Sequence, residues 1–281
     1  LKADLQSAVE RGQLVLLYQP IVDLETTRIH ALEALIRWRH PVRGLVGPAE
    51  FIELAEETGL IVEMGKWVIE EACRQAKRWQ AGVRDQLPVG VSVNLSPRQL
   101  QEPTLVQDVA SALAASRLDP RALTVEITET VFMERTDVIV ERLDGLRALG
   151  VRIAIDDFGT GYSSLSYLAR FPVDTIKIAK PFIDEIESES RDSALADAII
   201  RMSDSLGLCT VGEGIERAAQ HDRLRELGCE LGQGYLFARP VAADEVFELL
   251  VGNEPASAPA ADDGARGGQL IRLRAGKHAA A

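Results

Sequence analysis

Apolar, β-branched segments recur along this chain, and nearly every one ends in a polar side chain that can bind a cation or a phosphate. VSVN ends at Asn94, LTVE at Glu126, RIAID at Asp156 and TIK at Lys177. In a barrel of parallel strands the carboxyl ends of the strands share one face, and active sites are built there. We therefore expect the polar strand ends to converge. They are Gln19, Glu33, Arg37, Asn94, Glu126, Glu129, Asp156, Asp157, Lys177, Glu213, Glu216 and Gln233.

The order of the segments predicts the fold. Residues 13–24 and 28–38 read as two strands separated by too few residues for a parallel crossover, so they should form an antiparallel hairpin. Six more strands, near residues 89–95, 123–128, 152–157, 175–178, 208–213 and 231–237, alternate with helical segments. The pattern predicts an α/β fold, a TIM-like (β/α)8 barrel with an antiparallel first strand. A doubly wound open sheet is the alternative.

The composition excludes several classes of function. The net charge of -12 argues against a nucleic-acid polymer as partner, since such a groove needs a basic face. No histidine spacing matches a zinc enzyme. The odd number of cysteines, three, indicates a reducing compartment, so we expect a cytoplasmic domain, or one at the cytoplasmic membrane face if a parent protein is anchored.

The chain divides into two regions. Residues 1–251 carry the barrel pattern, whereas residues 252–281 are rich in Ala and Gly without sustained periodicity, which predicts a disordered tail. The chain opens at Leu1 directly into domain-like sequence. We expect it to be a domain of a longer protein.

Carboxylates and one amide dominate the expected site. Glu33, Asn94, Glu126 and Asp156 offer the oxygen ligands that hard cations prefer. Asp157 can join them only where its strand ends and bends, because neighbours in a regular strand face opposite ways, and Gly159 and Gly161 are expected to break the strand there. Each residue alone could instead be a helix cap, a turn residue or part of a surface salt bridge. Taken together they leave two enzyme classes open, metal-assisted phosphodiester hydrolysis and enolase-like proton abstraction.

Longer motifs resemble one known family, the EAL-domain cyclic di-GMP phosphodiesterases, over residues 1–251. The matching segments are YQPIVDL at 18–24, EALIR at 33–37, FIELAEETGLI at 51–61, SVNLSPRQL at 92–100, LTVEITET at 123–130, IDDFGTGYSSLSYL at 155–168, VDTIKI at 173–178, VGEGIE at 211–216 and QGYLFARP at 233–240.

The resemblance implies a role for each site residue. Metal ligands would be Glu33, Asn94, Glu126, Asp156, Asp157 and Glu213, holding Mg²⁺ or Mn²⁺, with two ions expected. Catalytic residues would be Glu213, Lys177 and Asp157, and substrate would contact Gln19, Leu35, Arg37, Gln233 and Pro240. Glu129 would anchor the loop at residues 159–164.

The implied reaction is hydrolysis of cyclic di-GMP to linear pGpG, in a bacterial homodimer whose parent could carry sensor or GGDEF-type domains. A catalytically weak receptor or signalling module for cyclic di-GMP is the alternative. One departure bears on this choice. The family usually has Asp two residues after the lysine, and this chain has Ala179, which alternation places on the Lys177 side of the strand.

Overall fold

Ten strands and ten α-helices occur in the part of the chain that the computed structural model describes, residues 2–82, 89–133, 137–161, 171–188 and 190–252. The strands are β1 (Leu14–Asp23), β2 (Ile29–His40), β3 (Gly44–Val46), β4 (Gly90–Asn94), β5 (Leu123–Thr128), β6 (Arg152–Phe158), β7 (Thr175–Ile178), β8 (Cys209–Gly212), β9 (Leu231–Gln233) and β10 (Val241–Ala242). The helices are α1 (Lys2–Glu10), α2 (Ile52–Thr58), α3 (Leu60–Gly82), α4 (Pro97–Gln101), α5 (Leu105–Ser116), α6 (Asp137–Ala148), α7 (Lys180–Asp184), α8 (Arg191–Leu206), α9 (Ala218–Leu227) and α10 (Ala243–Gly252).

Eight of the strands close into a barrel, in the order β1-β9-β8-β7-β6-β5-β4-β2. The ring closes because β1 pairs antiparallel with both β2 and β9, while the pairs from β2 and β4 round to β8 and β9 are parallel. The predicted barrel with a reversed first strand is confirmed, and closure excludes the open doubly wound sheet. Strands β3 and β10 extend the edges of β2 and β1.

Alternation along the strands separates two environments. On β5, Val125 and Ile127 are fully buried in the main apolar cluster beneath the helices, whereas Glu126 belongs to the barrel interior. Trp79 of α3 ties this layer to the last helix, because its indole N–H donates to the Ala243 carbonyl. The helices thus hold the strands in register while the polar strand ends face inward.

Several boundaries differ from the sequence-based expectation. The strand expected at 231–237 ends at Gln233. Gly234 packs so closely against the backbone of Ile215 that any side chain there would collide with it. The chain turns at this glycine, and the Phe237 N–H donates to the Gly234 carbonyl. Helix α4 was not predicted, although its signal is present, since Ser96 and Gln99 form a capping box.

The last described helix, α10, ends at Gly252. Residues 253–281 lie outside the described residues, so the division into a barrel at 1–251 and a tail at 252–281 stays a prediction. No helix among the described residues is long and apolar enough to cross a membrane.

Candidate active site

Lys177 is the centre of the site. Strand β7 carries it into the barrel, where the side chain is 2% exposed and its ammonium group meets four carboxylates. Nζ lies 2.7 Å from Glu213 Oε1, 2.8 Å from Glu126 Oε2 and 2.9 Å from Asp156 Oδ1. Glu33 Oε2 is 3.6 Å away. These groups come from β2, β5, β6 and the residue after β8, so the predicted convergence of strand ends is what the structure contains. Glu216 does not join them, because it pairs with Lys180 at 3.1 Å.

Side-chain amides fix the orientation of Glu33. Asn94 Nδ2 donates to Oε1 at 2.8 Å, and Gln233 Nε2 donates to Oε2 at 2.7 Å. Gln233 Nε2 also lies 3.1 Å from Gln19 Oε1, and Gln19 Nε2 donates to the Ala238 carbonyl. The register explains the convergence, since Gln19 is paired with Glu33 across the β1–β2 hairpin. The amides therefore hold the Glu33 carboxylate and leave the Asn94 carbonyl oxygen available.

An irregularity in β6 places the two consecutive aspartates. The pairing between β6 and β7 shifts register between Ile155 and Phe158, and Asp157 has φ 52, in the left-handed region. Non-glycine residues seldom adopt this conformation, and such strain is concentrated at functional sites. The bulge turns Asp157 toward the cluster while β6 continues to Phe158. The sequence did not predict this bulge.

Electrostatic effects within the cluster are strong. Burial lowers the pKa of Lys177, but the surrounding carboxylates, Glu126 and Glu213 foremost, raise it well above the ordinary value. Burial and the neighbouring Glu33 raise the pKa of Glu126. Burial, followed by Asp156, raises the pKa of Asp157. For Glu213, burial raises the pKa to about 8, although Lys177 opposes the shift. The lysine alone does not offset the crowded negative charge.

The donor set suits a hard divalent cation. Four carboxylates and an amide offer the oxygen ligands that magnesium or manganese prefers. Gln233 Oε1 is buried and accepts no hydrogen bond from any described residue, whereas the buried Asp156 Oδ1 lies 2.9 Å from Lys177 Nζ. Among the described residues, however, no three His, Cys, Asp or Glu side chains are arranged to hold a metal ion. The carboxylates converge on Lys177 instead, so a cation would have to share them with the ammonium group.

The pKa of Glu213 predicts how stability depends on pH. Without metal, the folded state keeps this carboxyl protonated above its ordinary pKa of 4.5, so the free energy of unfolding should fall as pH rises from about 4.5 to about 8. Glu126 and Asp157 add to the same trend, while Lys177 stays charged throughout. Denaturant titrations in chelator across this range measure the slope.

Glu213→Gln should flatten that slope, because glutamine has no proton to release. Glu248→Gln, at an exposed position on α10, is the matched control and should leave the slope unchanged. An equal slope in the wild type and in Glu213→Gln would remove Glu213 as its cause.

Glu129 contacts the loop that follows Asp157. Its Oε2 accepts the backbone N–H of Gly159 at 3.0 Å and that of Gly161 at 3.2 Å. A Cβ at Gly161 would lie 3.0 Å from Glu129 Oε1, so glycine permits this close approach. The rest of the expected loop, residues 162–164, lies outside the described residues.

The rim of the site carries the expected substrate-binding residues. Arg37 is half-buried on β2, two residues beyond the half-buried Leu35, and its guanidinium donates to the Ile36 carbonyl but to no carboxylate among the described residues. Pro240 is half-buried beyond β9. Sequence reasoning missed Tyr235, whose ring has the Arg239 guanidinium 4.2 Å from its centroid. An aromatic residue two positions after a strand-end glutamine was the available signal.

Ala179 lies in the main apolar cluster, fully buried, at the N-cap position directly before α7. No side chain caps this helix, so an aspartate here would be placed to cap it. Alternation placed Ala179 on the Lys177 side of the strand, but β7 ends at Ile178 and Ala179 lies in the apolar cluster instead. Lys180, the next residue, is half-exposed and pairs with Asp184 and Glu216.

Comparison with known proteins agrees with this geometry. The family model described as "EAL domain" matches residues 2–240. MucR of Pseudomonas aeruginosa, named a bifunctional diguanylate cyclase/cyclic di-GMP phosphodiesterase, is 45% identical over 244 residues, 87% of this chain and 35% of that protein. NbdA of the same organism, named a cyclic di-GMP phosphodiesterase, is 43% identical over 250 residues, 89% of this chain and 32% of its own length.

A solved structure described as "PaMucR Phosphodiesterase, c-di-GMP complex" superposes with TM-score 0.82 at 45% identity, over 87% of this chain and 98% of that one. The chain spans about a third of the length of the curated relatives MucR and NbdA. Because the family model covers most of the sequence and its signature residues meet in one cluster, the chain belongs to the EAL domain family.

Proposed function

We propose that this chain hydrolyses one phosphodiester of cyclic di-GMP to give linear pGpG. The observation that carries the proposal is the Lys177 cluster at the carboxyl end of the barrel, with four carboxylates within 3.6 Å of one ammonium group. Its support is the 45% identity to a phosphodiesterase whose solved structure is a cyclic di-GMP complex. No member of the expected ligand set is replaced in this sequence.

The proposed metal site uses Glu33, Asn94, Glu126 and Asp156, with Asp157 and Glu213 serving a second ion. The convergence of the Glu33, Glu126 and Asp156 carboxylates on one point inside the barrel supports this assignment. A divalent ion bound there would act as a Lewis acid toward the phosphate and make a nearby water more acidic.

The chain's own groups would then position and polarise the substrate. Arg37, whose guanidinium donates to the Ile36 carbonyl and to no carboxylate of the described residues, would bind a phosphate oxygen through its planar guanidinium. Lys177 would offset charge that develops on the phosphate. Glu213 would accept a proton from the attacking water in its ionised form; burial raises its pKa to about 8 without metal, and a divalent ion bound beside it would lower that pKa.

The remaining proposed contacts are to the nucleotide. Gln19 and Gln233 form the amide wall next to Glu33 and would offer hydrogen bonds to its polar groups. Leu35 and Pro240 are half-buried at the rim and would pack against its apolar faces.

One observation favours the alternative of a catalytically weak receptor. Ala179 replaces the aspartate that the family usually has after the lysine, and α7 lacks a side-chain cap as a result. Loss of that cap would loosen the segment that follows Lys177 without removing any nucleotide contact. The chain would then bind cyclic di-GMP and signal to a partner.

Assembly and context belong to the same proposal. We expect a homodimer, a parent protein with sensor or GGDEF-type domains, as the longer relatives suggest, and a cytoplasmic location for this domain. Residues 253–281, which lie outside the described residues, are expected to contribute nothing to turnover.

Ion substitution tests the reaction. Mg²⁺ and Mn²⁺ should support turnover, and Ca²⁺ should not, because calcium takes about 6–8 ligands at about 2.3–2.6 Å whereas magnesium needs near-octahedral geometry at about 2.0–2.1 Å. Initial rates of pGpG formation in each ion, after chelation and reconstitution, measure this. Rates in calcium equal to those in magnesium would contradict the proposed small-ion site.

Glu129→Ala should impair the reaction through the loop. The change removes the acceptor for the Gly159 and Gly161 N–H groups, so the loop after Asp157 should lose its anchor. We expect turnover to fall by about 10–100-fold, as for other residues that orient metal ligands. The magnesium concentration for half-maximal rate should rise at the same time.

Glu129→Gln keeps an acceptor oxygen and should recover part of the loss. Identical kinetic constants and magnesium dependence in Glu129→Ala and the wild type would remove the anchoring role.

A further inference from the structure

A cavity of about 890 Å³ enters the barrel near the start of the strands, on the face opposite the candidate active site. Its mouth is formed by residues that precede or begin strands, among them Arg28, Asp119 and Arg152. Its inner end reaches Glu126 and Lys177. The volume lies within the range of roughly 300–1,000 Å³ found for small-molecule sites.

The cavity exists because one interior layer is built from small side chains. Two residues before each polar strand end, barrels usually carry bulky branched residues that fill the interior. Here that layer is bulky on one side only, with Ile21, Val211 and Leu231 packed together. The other positions are Ala31, Ser92, Thr124, Ala154 and Thr175. Thr124 and Thr175 remain only half-buried although they point into a barrel.

The acidic residues at the mouth already have partners. Asp23 Oδ1 accepts the N–H and the hydroxyl of Thr26. Asp174 Oδ2 accepts the backbone N–H of Ile153. Asp119 is paired with Arg121 at 2.8 Å. These carboxylates are therefore engaged in holding the turns.

Two cationic side chains at the mouth have no such partner. The guanidinium groups of Arg28 and Arg152 form no hydrogen bond and no ion pair with any described residue. Burial lowers the pKa of His30, and the charge of Arg152 lowers it further. The same charge also acts to lower the pKa of Asp119 and of Cys209. Arg152 therefore lies over the opening, where its charge is available to a ligand.

One polar group inside the cavity wall is also unsatisfied. Ser92 is 2% exposed, and its hydroxyl has no hydrogen-bond partner among the described residues. A buried hydroxyl without a partner is unfavourable, so such a group points to an acceptor or donor that the protein alone does not supply.

We propose that this cavity is a second binding site, for a small organic anion with a compact apolar body. The body would lie against Ile21, Val211 and Leu231, and the anionic head group would bind Arg152 and Arg28 at the mouth. The proposal does not depend on the reaction at the other face. Because the cavity ends at Glu126 and Lys177, a bound ligand would contact the catalytic cluster from the side opposite the active site. Such contact would couple ligand binding to the affinity of the cluster for metal.

Calorimetric titration with octanoate tests the site, with 1-octanol as the neutral ligand of the same apolar body. We expect octanoate to bind at least about tenfold more tightly than octanol, since a charge-assisted hydrogen bond contributes about 1.5–3 kcal/mol. Arg152→Gln should reduce that difference, because Arg28 alone would then bind the head group. Arg201→Gln, at an exposed arginine of α8 that is paired with Asp197, is the matched control and should bind octanoate as the wild type does.

Thr124→Leu and Thr175→Leu locate the binding, because each fills the cavity without touching the mouth. Each folded variant, checked by its thermal transition, should bind octanoate at least about tenfold more weakly than the wild type. Arg152→Gln provides the test if neither variant folds. Equal affinities for octanoate and octanol, unchanged binding in a folded cavity-filling variant or in Arg152→Gln, or no binding to the wild type would each overturn the proposal.

Discussion

Glu33→Gln should reduce turnover of cyclic di-GMP by at least about 100-fold while leaving the fold intact. The two oxygens of Glu33 accept hydrogen bonds from Asn94 and Gln233, and the carboxylate lies 3.6 Å from Lys177. A glutamine has the same shape, but it loses the charge and turns an amide donor toward one of those donors. Changes to residues that only orient metal ligands already lower activity about 10–100-fold, so a ligand should matter more.

The measurement is the initial rate of pGpG formation at saturating magnesium, together with the thermal transition of each protein. Glu53→Gln is the matched control, since Glu53 is exposed on α2 and should leave the rate unchanged. A Glu33→Gln rate near that of the wild type would remove Glu33 from the ligand set.

Lys177→Met should destabilise the metal-free protein by roughly 3–5 kcal/mol, the usual result of removing one partner from a buried ion pair. The substitution leaves Glu126, Glu213, Asp156 and Glu33 facing one another without the ammonium group. The loss should be largest near pH 8 and smaller near pH 5, because the carboxyls can then take up protons. Denaturant unfolding in chelator gives the free energy at each pH.

Magnesium should recover most of the lost stability of Lys177→Met, because the cation replaces the missing positive charge, but it should not recover turnover. Lys180→Met is the matched control. Lys180 is three residues away and half-exposed, and its pairs with Asp184 and Glu216 should contribute at most about 1 kcal/mol. Equal stability of the two variants in chelator would show that Lys177 does not balance the cluster.

Strand ends were predictable because they follow local rules. The short link after β1 required a hairpin, and the polar residue closing each later segment marked the carboxyl end of a strand, so the residues that meet at Lys177 could be named in advance. The inward direction of Glu126 followed from alternation with Val125 and Ile127.

Features that depend on packing between distant segments could not be predicted in this way. The bulge that places Asp157 arises from the register between β6 and β7, and the early end of β9 arises from the contact of Gly234 with Ile215. The ion pairs of Lys177 were also not predicted, because the sequence assigned those four carboxylates to metal ions. Burial of Ala179 in the apolar cluster likewise depends on where α7 packs.

Product analysis tests the central claim most directly. Purified protein is incubated with cyclic di-GMP and magnesium, with and without excess chelator, and the nucleotides are separated and identified by mass while equilibrium dialysis measures binding. The proposed chemistry predicts linear pGpG as the product, formed over many turnovers and only when the divalent ion is available. Tight binding of cyclic di-GMP that is recovered intact from the magnesium reaction would contradict it and favour the receptor.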